Sequence, residues 1–189
     1  TFFDPIYYEK KHKEVLIVSR LLEGHKDISK ALKIWKTIEA DGAYKEWSLK
    51  IVGHGPDEEY YKRLSYRYGL RTVSFEGVQD PKAYYERSSI FMITSSYEGW
   101  VLTLNEAKQN GVVPIVYNSF SALQEMVEDG QDGFIIPFND EISYVNHLKQ
   151  LMDDSTLRRT MAINAINNSR NYSADLIVKD WIKLFNEVY

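Results

Sequence analysis

The sequence contains no cysteine and no long apolar run. Without thiols the chain can form neither a disulfide bond nor a zinc–thiolate site, while a reducing compartment is permitted but not proven. A membrane-spanning helix needs about 18 consecutive apolar residues. The best candidate run, residues 111–117, is far shorter, and no signal-peptide pattern is visible. These absences exclude thiol chemistry and give no sign of a membrane span.

The excess charge is small and negative. Lys and Arg number 23 against 27 Asp and Glu, which gives a formal net charge of −4 over 189 residues. The bulk charge argues against nucleic acid as a partner, because nucleic-acid-binding domains usually carry a strong basic excess, although a local basic patch would survive this average. The 44% of hydrophobic residues supplies enough apolar material for a core, which excludes global disorder.

Two glycine-rich phosphate motifs are also absent. The sequence contains no G-x-x-x-x-G-K-[ST] pattern, which excludes a P-loop. The turn after the first apolar run, residues 19–26, lacks the G-x-G-x-x-G pattern of nicotinamide- and flavin-binding domains. Any nucleotide bound by this chain must therefore be held by other groups.

Short apolar runs alternate with longer amphipathic segments along most of the chain. The apolar runs predict six strands, at residues 15–19, 48–52, 72–75, 90–94, 112–117 and 133–136. The amphipathic segments predict helices at residues 28–40, 57–68, 81–87, 99–110 and about 118–128, and three further helices from 140 onward. Strands that are apolar almost throughout and alternate with helices predict a parallel sheet covered on both faces. The predicted fold is therefore α/β, a Rossmann-like doubly wound parallel sheet of about six strands with C-terminal helices.

Capping residues set the predicted helix boundaries. Asp27 is the predicted N-cap of the first helix and Gly42 its stop, because a short carboxylate can accept first-turn amides and glycine ends helices readily. Gly69 and Gly111 are predicted to end the second and fourth helices in the same way.

Ligands of such sheets bind at the C-terminal ends of the strands. Arg20 and Lys26 follow the first strand, and two cations beside a helix N-terminus can hold a phosphate or diphosphate, although a solvated basic loop explains them equally well. Gly53 and Gly55 follow the second strand and would let the backbone approach a ligand closely. Spacing alone favours an ordinary tight turn for these two glycines.

The turn after the fourth strand carries the most polar groups. Ser95 and Ser96 precede Glu98, and the backbone amides of residues 100–102 are expected at the positive end of the following helix, where phosphate or a sugar hydroxyl can bind. Glu98 and Glu106 offer carboxylates that can accept hydrogen bonds from vicinal hydroxyls. The alternative is that both glutamates are ordinary helix or surface charges.

These motifs, in this order, resemble those of the nucleotide-binding domain of the retaining glycosyltransferases of group 1, also called family 4. Each motif is weak alone, but together they cover about residues 15–137 in register. The matching pieces are Arg20 with Lys26, the turn Gly53-His54-Gly55, the stretch Phe75-Glu76-Gly77, Glu98 with Glu106, and the run from Gly111 to Val116.

The resemblance implies half of an enzyme with two Rossmann-like domains, the GT-B fold. It assigns residues 15–171 to the domain that binds the sugar donor and residues 1–14 to an interdomain linker. Residues 172–189 are then a C-terminal helix that packs toward the missing N-terminal, acceptor-binding domain.

The resemblance also implies a role for each matching residue. Arg20 and Lys26 would hold the donor diphosphate, and Glu98 would bind the transferred sugar; these three are the expected catalytic residues. Glu106 would bind the ribose hydroxyls. Further expected donor-binding residues are Gly53 and Gly55, the stretch Val78-Gln79 along the base, and Gly99, Trp100, Val101 and Leu102 along sugar and phosphate. The family is generally independent of metals, and no cofactor is expected beyond the UDP-, GDP- or ADP-sugar donor.

The implied function is transfer of a sugar, with retention of configuration, from a nucleotide-diphosphate-sugar to a cell-envelope saccharide or lipid. The isolated chain is expected to be inactive. Its expected location is the cytoplasm or the inner face of the membrane, with membrane contact only through the full-length protein and no nucleic acid bound. Two alternatives stay open: a non-catalytic nucleotide-sugar-binding or assembly module, and a related two-domain enzyme such as a nucleotide-sugar epimerase or a phosphorylase.

The sequence departs from the family pattern where glycine is usual. Val101 follows Trp100, Ser121-Ala122 follows the fifth strand, and Asp27 follows the first pair of cations. A side chain at position 101 would narrow the sugar pocket or displace an amide contact, which favours the non-catalytic alternative.

Overall fold

A computed structural model describes residues 2–172 and 174–188 of the chain. The strands are β1 (Glu14–Val18), β2 (Ser48–Val52), β3 (Val73–Gly77), β4 (Ile90–Ile93), β5 (Val113–Asn118) and β6 (Phe134–Pro137). The helices are α1 (Ile28–Glu39), α2 (Glu58–Tyr68), α3 (Lys82–Arg87), α4 (Leu102–Gln109), α5 (Leu123–Met126), α6 (Glu141–Asp153), α7 (Ser155–Ser169) and α8 (Ala174–Val188). Three short 3₁₀ helices span Pro5–Lys10, Gly42–Tyr44 and Arg170–Tyr172.

The six strands form one parallel sheet in the order β3-β2-β1-β4-β5-β6. This order is that of doubly wound nucleotide-binding sheets, which confirms the predicted fold class. Side chains alternate between the two faces of each strand. Val15 and Ile17 therefore enter one hydrophobic cluster while Leu16, between them, enters the other. The strands read as continuous apolar runs because the sheet is buried on both sides.

Three predicted boundaries are wrong. The fourth helix begins at Leu102, not at residue 99, because the preceding loop makes its own contacts: the Ser96 N–H donates to the carbonyl of His25 at 2.9 Å. The helix after β5 is only Leu123–Met126, since the chain bends beyond it around the buried Asp132, whose Oδ1 accepts the N–H of Glu128 at 2.8 Å. α1 ends at Glu39, one residue before its predicted end, and Gly42, the predicted stop, instead begins a 3₁₀ turn.

Asp27 occupies the N-cap position of α1 but makes no side-chain capping bond. Its φ of +48° is in the left-handed region, which aspartate tolerates better than most residues with a side chain. The cap prediction is therefore right in position and wrong in mechanism. Gly69 does end α2 in the left-handed conformation, as predicted.

The first residues of the chain pack on the sheet domain. The Phe3 N–H donates to the carbonyl of Gln109 at 2.9 Å, and Tyr8 is buried. Lys11 Nζ donates to the carbonyls of Tyr85 at 3.0 Å and Ser88 at 2.8 Å, at the C-terminal end of α3. We call residues 2–12 the N-terminal strap. Glu14 belongs to β1, and whether the strap leads to another domain stays a prediction.

The C-terminal helix is amphipathic and exposes apolar side chains. The break predicted near residues 172–173 falls between the 3₁₀ turn at Arg170–Tyr172 and α8, and Ser173 lies outside the described residues. In the described part of α8, the exposed apolar residues are Leu176, Val178, Trp181, Ile182, Leu184 and Phe185. Over the residues that were placed, none of the helices has both the length and the hydropathy that crossing a bilayer demands.

Candidate functional site

The direction of the strand order reverses between β1 and β4. These strands are paired, with Val15 opposite Ile90 and Leu16 opposite Phe91, but the chain leaves them toward opposite edges of the sheet. Such a reversal opens a crevice at the carboxyl ends of the two strands, where ligands of doubly wound sheets bind. The loops after β1 and β4 carry Arg20, Lys26 and Glu98, three of the charged residues predicted from the sequence.

Lys26 and Glu98 meet in this crevice. Lys26 Nζ lies 2.5 Å from Glu98 Oε1, and Ser95 Oγ donates to the same carboxylate oxygen at 2.7 Å. The side chains are 21% and 10% exposed, respectively. Glu98 is thus fixed from two sides. Within residues 2–172 and 174–188, Lys26 Nζ has no hydrogen-bond acceptor besides Glu98, so it keeps N–H donors for a ligand.

Asp27 joins the two loops that carry this pair. Its carboxylate accepts hydrogen bonds from the Gly24 N–H at 2.8 Å and from Ser96 Oγ, and it pairs with Lys30 Nζ at 2.9 Å. Burial alone would raise the pKa of Asp27, but the hydrogen bonds from Ser96 and Lys30 outweigh burial and hold the pKa below its ordinary value. The Asp27 carboxylate is therefore charged at neutral pH.

Arg20 follows β1 at the mouth of the crevice. It is exposed, and in the described part of the chain its guanidinium forms neither a hydrogen bond nor an ion pair. The structure thus brings Lys26 and Glu98 into contact. Arg20, on the same loop as Lys26, remains available to a ligand.

Gly53 and Gly55 allow a close contact between two loops, whereas the sequence suggested a close approach to a ligand or an ordinary tight turn. A Cβ on Gly53 would lie 1.9 Å from the carbonyl oxygen of Ser19, and a Cβ on Gly55 would lie 2.1 Å from that of Leu21. The Leu21 N–H also donates to the carbonyl of His54 at 3.1 Å. The two glycines let the loop after β2 pack against the backbone of the loop after β1, which shapes the crevice wall.

The N-terminus of α4 faces the same crevice. Leu102 is the first residue of the helix, so the amides of Leu102 and Thr103 have no acceptor within the helix. Val101 is 6% exposed, has an ordinary extended backbone, and packs in the hydrophobic cluster with Ile93 and Leu104. Its side chain also lines a small cavity of about 20 Å³ beside Lys26 and Glu98.

Trp100 projects from the loop ahead of α4. Its ring is 43% exposed and meets the ring of Tyr172 edge to face, with centroids 5.2 Å apart. Gly99 beside it has no atom within 4 Å of the place a Cβ would take. This part of the predicted sugar-binding loop is therefore open, in contrast to the tightly packed glycines after β2.

Glu106 lines a separate and larger cavity. This cavity has a volume of about 330 Å³ between α3 and α4, and its lining residues are Asp80, Pro81, Lys82, Tyr85, Glu106, Gln109 and Asn110. Tyr85 Oη donates to Glu106 Oε2 at 2.9 Å. Val78 and Gln79 are exposed on the loop that leads from β3 to the cavity. The sequence analysis missed Tyr85, because it follows Tyr84 in a chain of 14 tyrosines and no motif distinguishes it.

Across 2–172 and 174–188, no group of three or more His, Cys, Asp or Glu side chains is arranged to hold a metal ion.

Sequence comparison connects this arrangement to known proteins. The model of the family described as "Glycosyl transferases group 1" matches residues 3–168. The amylovoran biosynthesis glycosyltransferase AmsD of Erwinia amylovora is 31% identical over 187 residues, which are 97% of this chain and 51% of AmsD. A Campylobacter jejuni enzyme named as an α-1,4-N-acetyl-D-galactosaminyltransferase acting on a PP-undecaprenol-linked saccharide is 23% identical, over 99% of this chain and 52% of that protein. The chain thus spans about half the length of these relatives.

Structure comparison gives the same fold. The pneumococcal O-GlcNAc transferase GtfA, solved in complex with UDP and GlcNAc, superposes with a TM-score of 0.86 at 21% sequence identity. The superposition covers 100% of this chain and 38% of the GtfA chain.

Proposed function

Since the chain belongs to the group 1 glycosyltransferase family, we propose that it is the donor-binding half of a GT-B enzyme. That enzyme transfers a sugar from a nucleotide-diphosphate-sugar to an acceptor with retention of configuration. The observation that carries the proposal is the Lys26–Glu98 pair at the reversal of the strand order. A cation that can bind phosphate lies there beside a carboxylate that can accept hydrogen bonds from sugar hydroxyls, and a diphosphate-linked sugar requires both.

The diphosphate binds Lys26 and Arg20. The diphosphate is the leaving group, and preorganised cations that neutralise its developing charge are a main source of catalysis in such reactions. Lys26 has unused N–H donors, and Arg20 offers a planar guanidinium that suits phosphate oxygens. Neither cation requires a metal ion for this task.

The transferred sugar binds between Glu98 and the N-terminus of α4. Glu98 accepts hydrogen bonds from sugar hydroxyls with its free lone pairs, held in place by Ser95 and Lys26. The amides of Leu102 and Thr103 donate to sugar or phosphate oxygens. Gly99, Trp100 and Val101 form the backbone of this loop, and Gly53 and Gly55 keep the opposite loop close enough to complete the pocket.

The nucleoside binds in the cavity between α3 and α4. Glu106 accepts hydrogen bonds from the ribose hydroxyls, and Val78 and Gln79 pass the base mainly with their backbone. We expect UDP rather than GDP or ADP, because the structurally similar GtfA was solved with UDP.

The acceptor-binding domain is the partner missing from this chain. The relatives are about twice as long, and the exposed apolar residues of α8 form a face suited to that domain. The strap is then the linker, and the isolated chain is inactive. The names of the relatives support a saccharide or lipid-linked acceptor of the bacterial envelope. The location that we propose for the transfer is the cytoplasmic face of the membrane.

Val101 gives little support to a non-catalytic module. Its side chain packs into the interior, and its negative φ does not require glycine. An enzyme acting on the nucleotide-sugar alone, such as an epimerase, uses the same donor contacts. It is distinguished by product analysis, since an epimerase needs no acceptor.

Calorimetric titration of the chain with UDP, GDP and ADP tests the proposal. The wild type is expected to bind one nucleotide at micromolar to millimolar concentration, and Arg20→Ala is expected to lose about 1.5–3 kcal/mol of binding. Arg67→Ala, on the exposed last turn of α2, is the control and should bind like the wild type. Absence of binding for all three nucleotides, here and in a full-length protein, would refute the donor site.

A further inference from the structure

Tyr85 of α3 is buried and hydrogen-bonds the carboxylate of Glu106. The tyrosine is 2% exposed, and its ring packs on Phe91 with centroids 6.0 Å apart. Its Oη donates to Glu106 Oε2 at 2.9 Å. Burial, reinforced by the negative charge of Glu106, raises the pKa of Tyr85 far above its ordinary value. The phenol therefore stays protonated and remains a hydrogen-bond donor.

Glu106 depends on this donor for its orientation. The residue is exposed on α4, and an exposed glutamate normally samples several rotamers. Within the described residues, Tyr85 Oη is the one group that hydrogen-bonds its carboxylate; Asn110 Nδ2 donates to the main-chain carbonyl of Glu106 instead. One carboxylate oxygen is thus anchored, and the other is left for a ligand in the cavity.

The two helices that carry this pair are anchored to one segment. Lys11 Nζ donates to the Tyr85 and Ser88 carbonyls at the end of α3, and the Phe3 N–H donates to the Gln109 carbonyl at the end of α4. The strap therefore spans both helices beside the cavity. These contacts tie the C-terminal ends of both helices to the strap, at or near the residues that carry the phenol and the carboxylate.

We propose that Tyr85 is a positioning residue that preorganises Glu106 to recognise a vicinal diol, and so makes the site selective for ribonucleotides. This inference rests on the proposed function, which places the ribose at Glu106. A carboxylate held in one rotamer accepts hydrogen bonds from adjacent hydroxyls without losing further side-chain freedom on binding. A nucleotide without these hydroxyls gains nothing from Tyr85.

Tyr85→Phe tests the proposal because it removes the hydroxyl and keeps the buried ring. Tyr84→Phe is the matched control, since Tyr84 is the preceding residue of α3 and donates to a different carboxylate, Glu76 Oε2, also at 2.9 Å. Each variant is titrated with UDP, with 2′,3′-dideoxy-UDP and with inorganic diphosphate. If the wild type prefers GDP or ADP, that nucleotide and its 2′,3′-dideoxy form replace the two uridine compounds. Thermal unfolding of each variant reports on the fold.

Tyr85→Phe is expected to weaken UDP about 5- to 20-fold, near the lower end of what a hydrogen bond to a charged group contributes. Its affinities for dideoxy-UDP and inorganic diphosphate should match the wild type, as should all affinities of Tyr84→Phe. In a Glu106→Gln background, Tyr85→Phe should have little further effect on UDP, because the two residues act as a unit.

Two results would overturn the inference while leaving the donor site intact. One is a Tyr85→Phe variant that binds UDP as tightly as the wild type does. The other is a variant that weakens both nucleotides equally, since Tyr85 would then act only on the fold. Failure of the wild type to bind any of the nucleotides would instead refute the proposed function, and the inference with it.

Discussion

Two lysine–carboxylate pairs, Lys108 with Asp132 and Lys26 with Glu98, each connect segments that are far apart in sequence, but they differ in burial and in hydrogen bonding. Lys108 of α4 pairs with Asp132 at 2.9 Å, and both side chains are only 1% exposed. Lys26 pairs with Glu98 at 2.5 Å in the crevice, with side chains 21% and 10% exposed.

The difference in hydrogen bonding indicates their roles. Lys108 donates to Asp132, to Asn168 Oδ1 and to the carbonyl of Met126, so all three of its N–H groups are used. Burial lowers the pKa of Lys108 against the opposing effect of Asp132. Lys26, by contrast, uses one N–H on Glu98 within the described chain. A saturated buried pair holds elements together, whereas a half-used pair in an open crevice can bind a ligand.

The largest expected effect comes from breaking the buried pair. Asp132→Ala leaves the Lys108 ammonium buried without its counter-charge, and we expect a loss of about 3–5 kcal/mol in the free energy of unfolding. Denaturant titration measures this loss in the free energy of unfolding. Glu98→Ala is the matched variant of the crevice pair and should change stability by about 1 kcal/mol or less. Equal losses in the two variants would contradict the distinction between the pairs.

The loop packing that shapes the crevice gives the next effect. Gly53→Ala places a Cβ against the Ser19 carbonyl at 1.9 Å, where the backbone must shift. We expect about 2–3 kcal/mol of destabilisation by thermal or denaturant unfolding. Gly99→Ala, with open space around the added Cβ, should stay within about 0.5 kcal/mol of the wild type. A Gly53→Ala variant of wild-type stability would show that this packing is dispensable.

Lys26→Met separates binding from stability. We expect nucleoside diphosphate affinity to fall about 10- to 100-fold, as for loss of a charged hydrogen bond, while the unfolding free energy changes by about 1 kcal/mol or less. Calorimetry and denaturation measure the two quantities. Lys13→Met, which breaks an exposed pair with Glu46 before β1, should affect neither. A Lys26→Met variant that binds like the wild type would place the diphosphate elsewhere.

The smallest expected effect is on the pH dependence of stability, through Asp27, whose carboxylate joins the two crevice loops. Because the pKa of Asp27 is lowered in the folded state, its contribution is fully present above its unfolded pKa, about 4. The contribution is lost as pH falls through the lower folded value. Asp27→Asn should therefore be less stable than the wild type at pH 7, and the gap should narrow toward pH 3. A gap that is constant with pH would contradict this role for the carboxylate.

Much of the fold was predictable because local pattern and tertiary environment agree. β2 spans the predicted residues, 48–52, and the other strands differ from prediction by one or two residues at their ends. The start of α4 and the length of α5 were not predictable, since both depend on contacts with other parts of the fold. The Ser96 N–H ahead of α4 donates to the His25 carbonyl, and the bend after α5 forms around Asp132, which pairs with Lys108 of α4.

The candidate site was predictable only in part. Arg20, Lys26 and Glu98 stood out because they follow strands at the edge where doubly wound sheets bind ligands, and Glu106 because with Glu98 it matches a pair of glutamates in the resembling family. The partners that define their roles carry no such signal. Tyr85 is one of 14 tyrosines, and only the crossing of α3 and α4 places its hydroxyl on Glu106.

Strand and helix periodicities and strand ends are local properties, so the parallel α/β architecture and the charged residues at one edge of the sheet follow from the sequence. Which of these charges meet depends on the packing of the whole fold. This packing joined Lys26 to Glu98, gave Glu106 a separate cavity, and turned Gly53 and Gly55 toward a neighbouring loop. The physical reason is that these contacts join residues far apart in sequence, and their distances are set by the packing of whole elements.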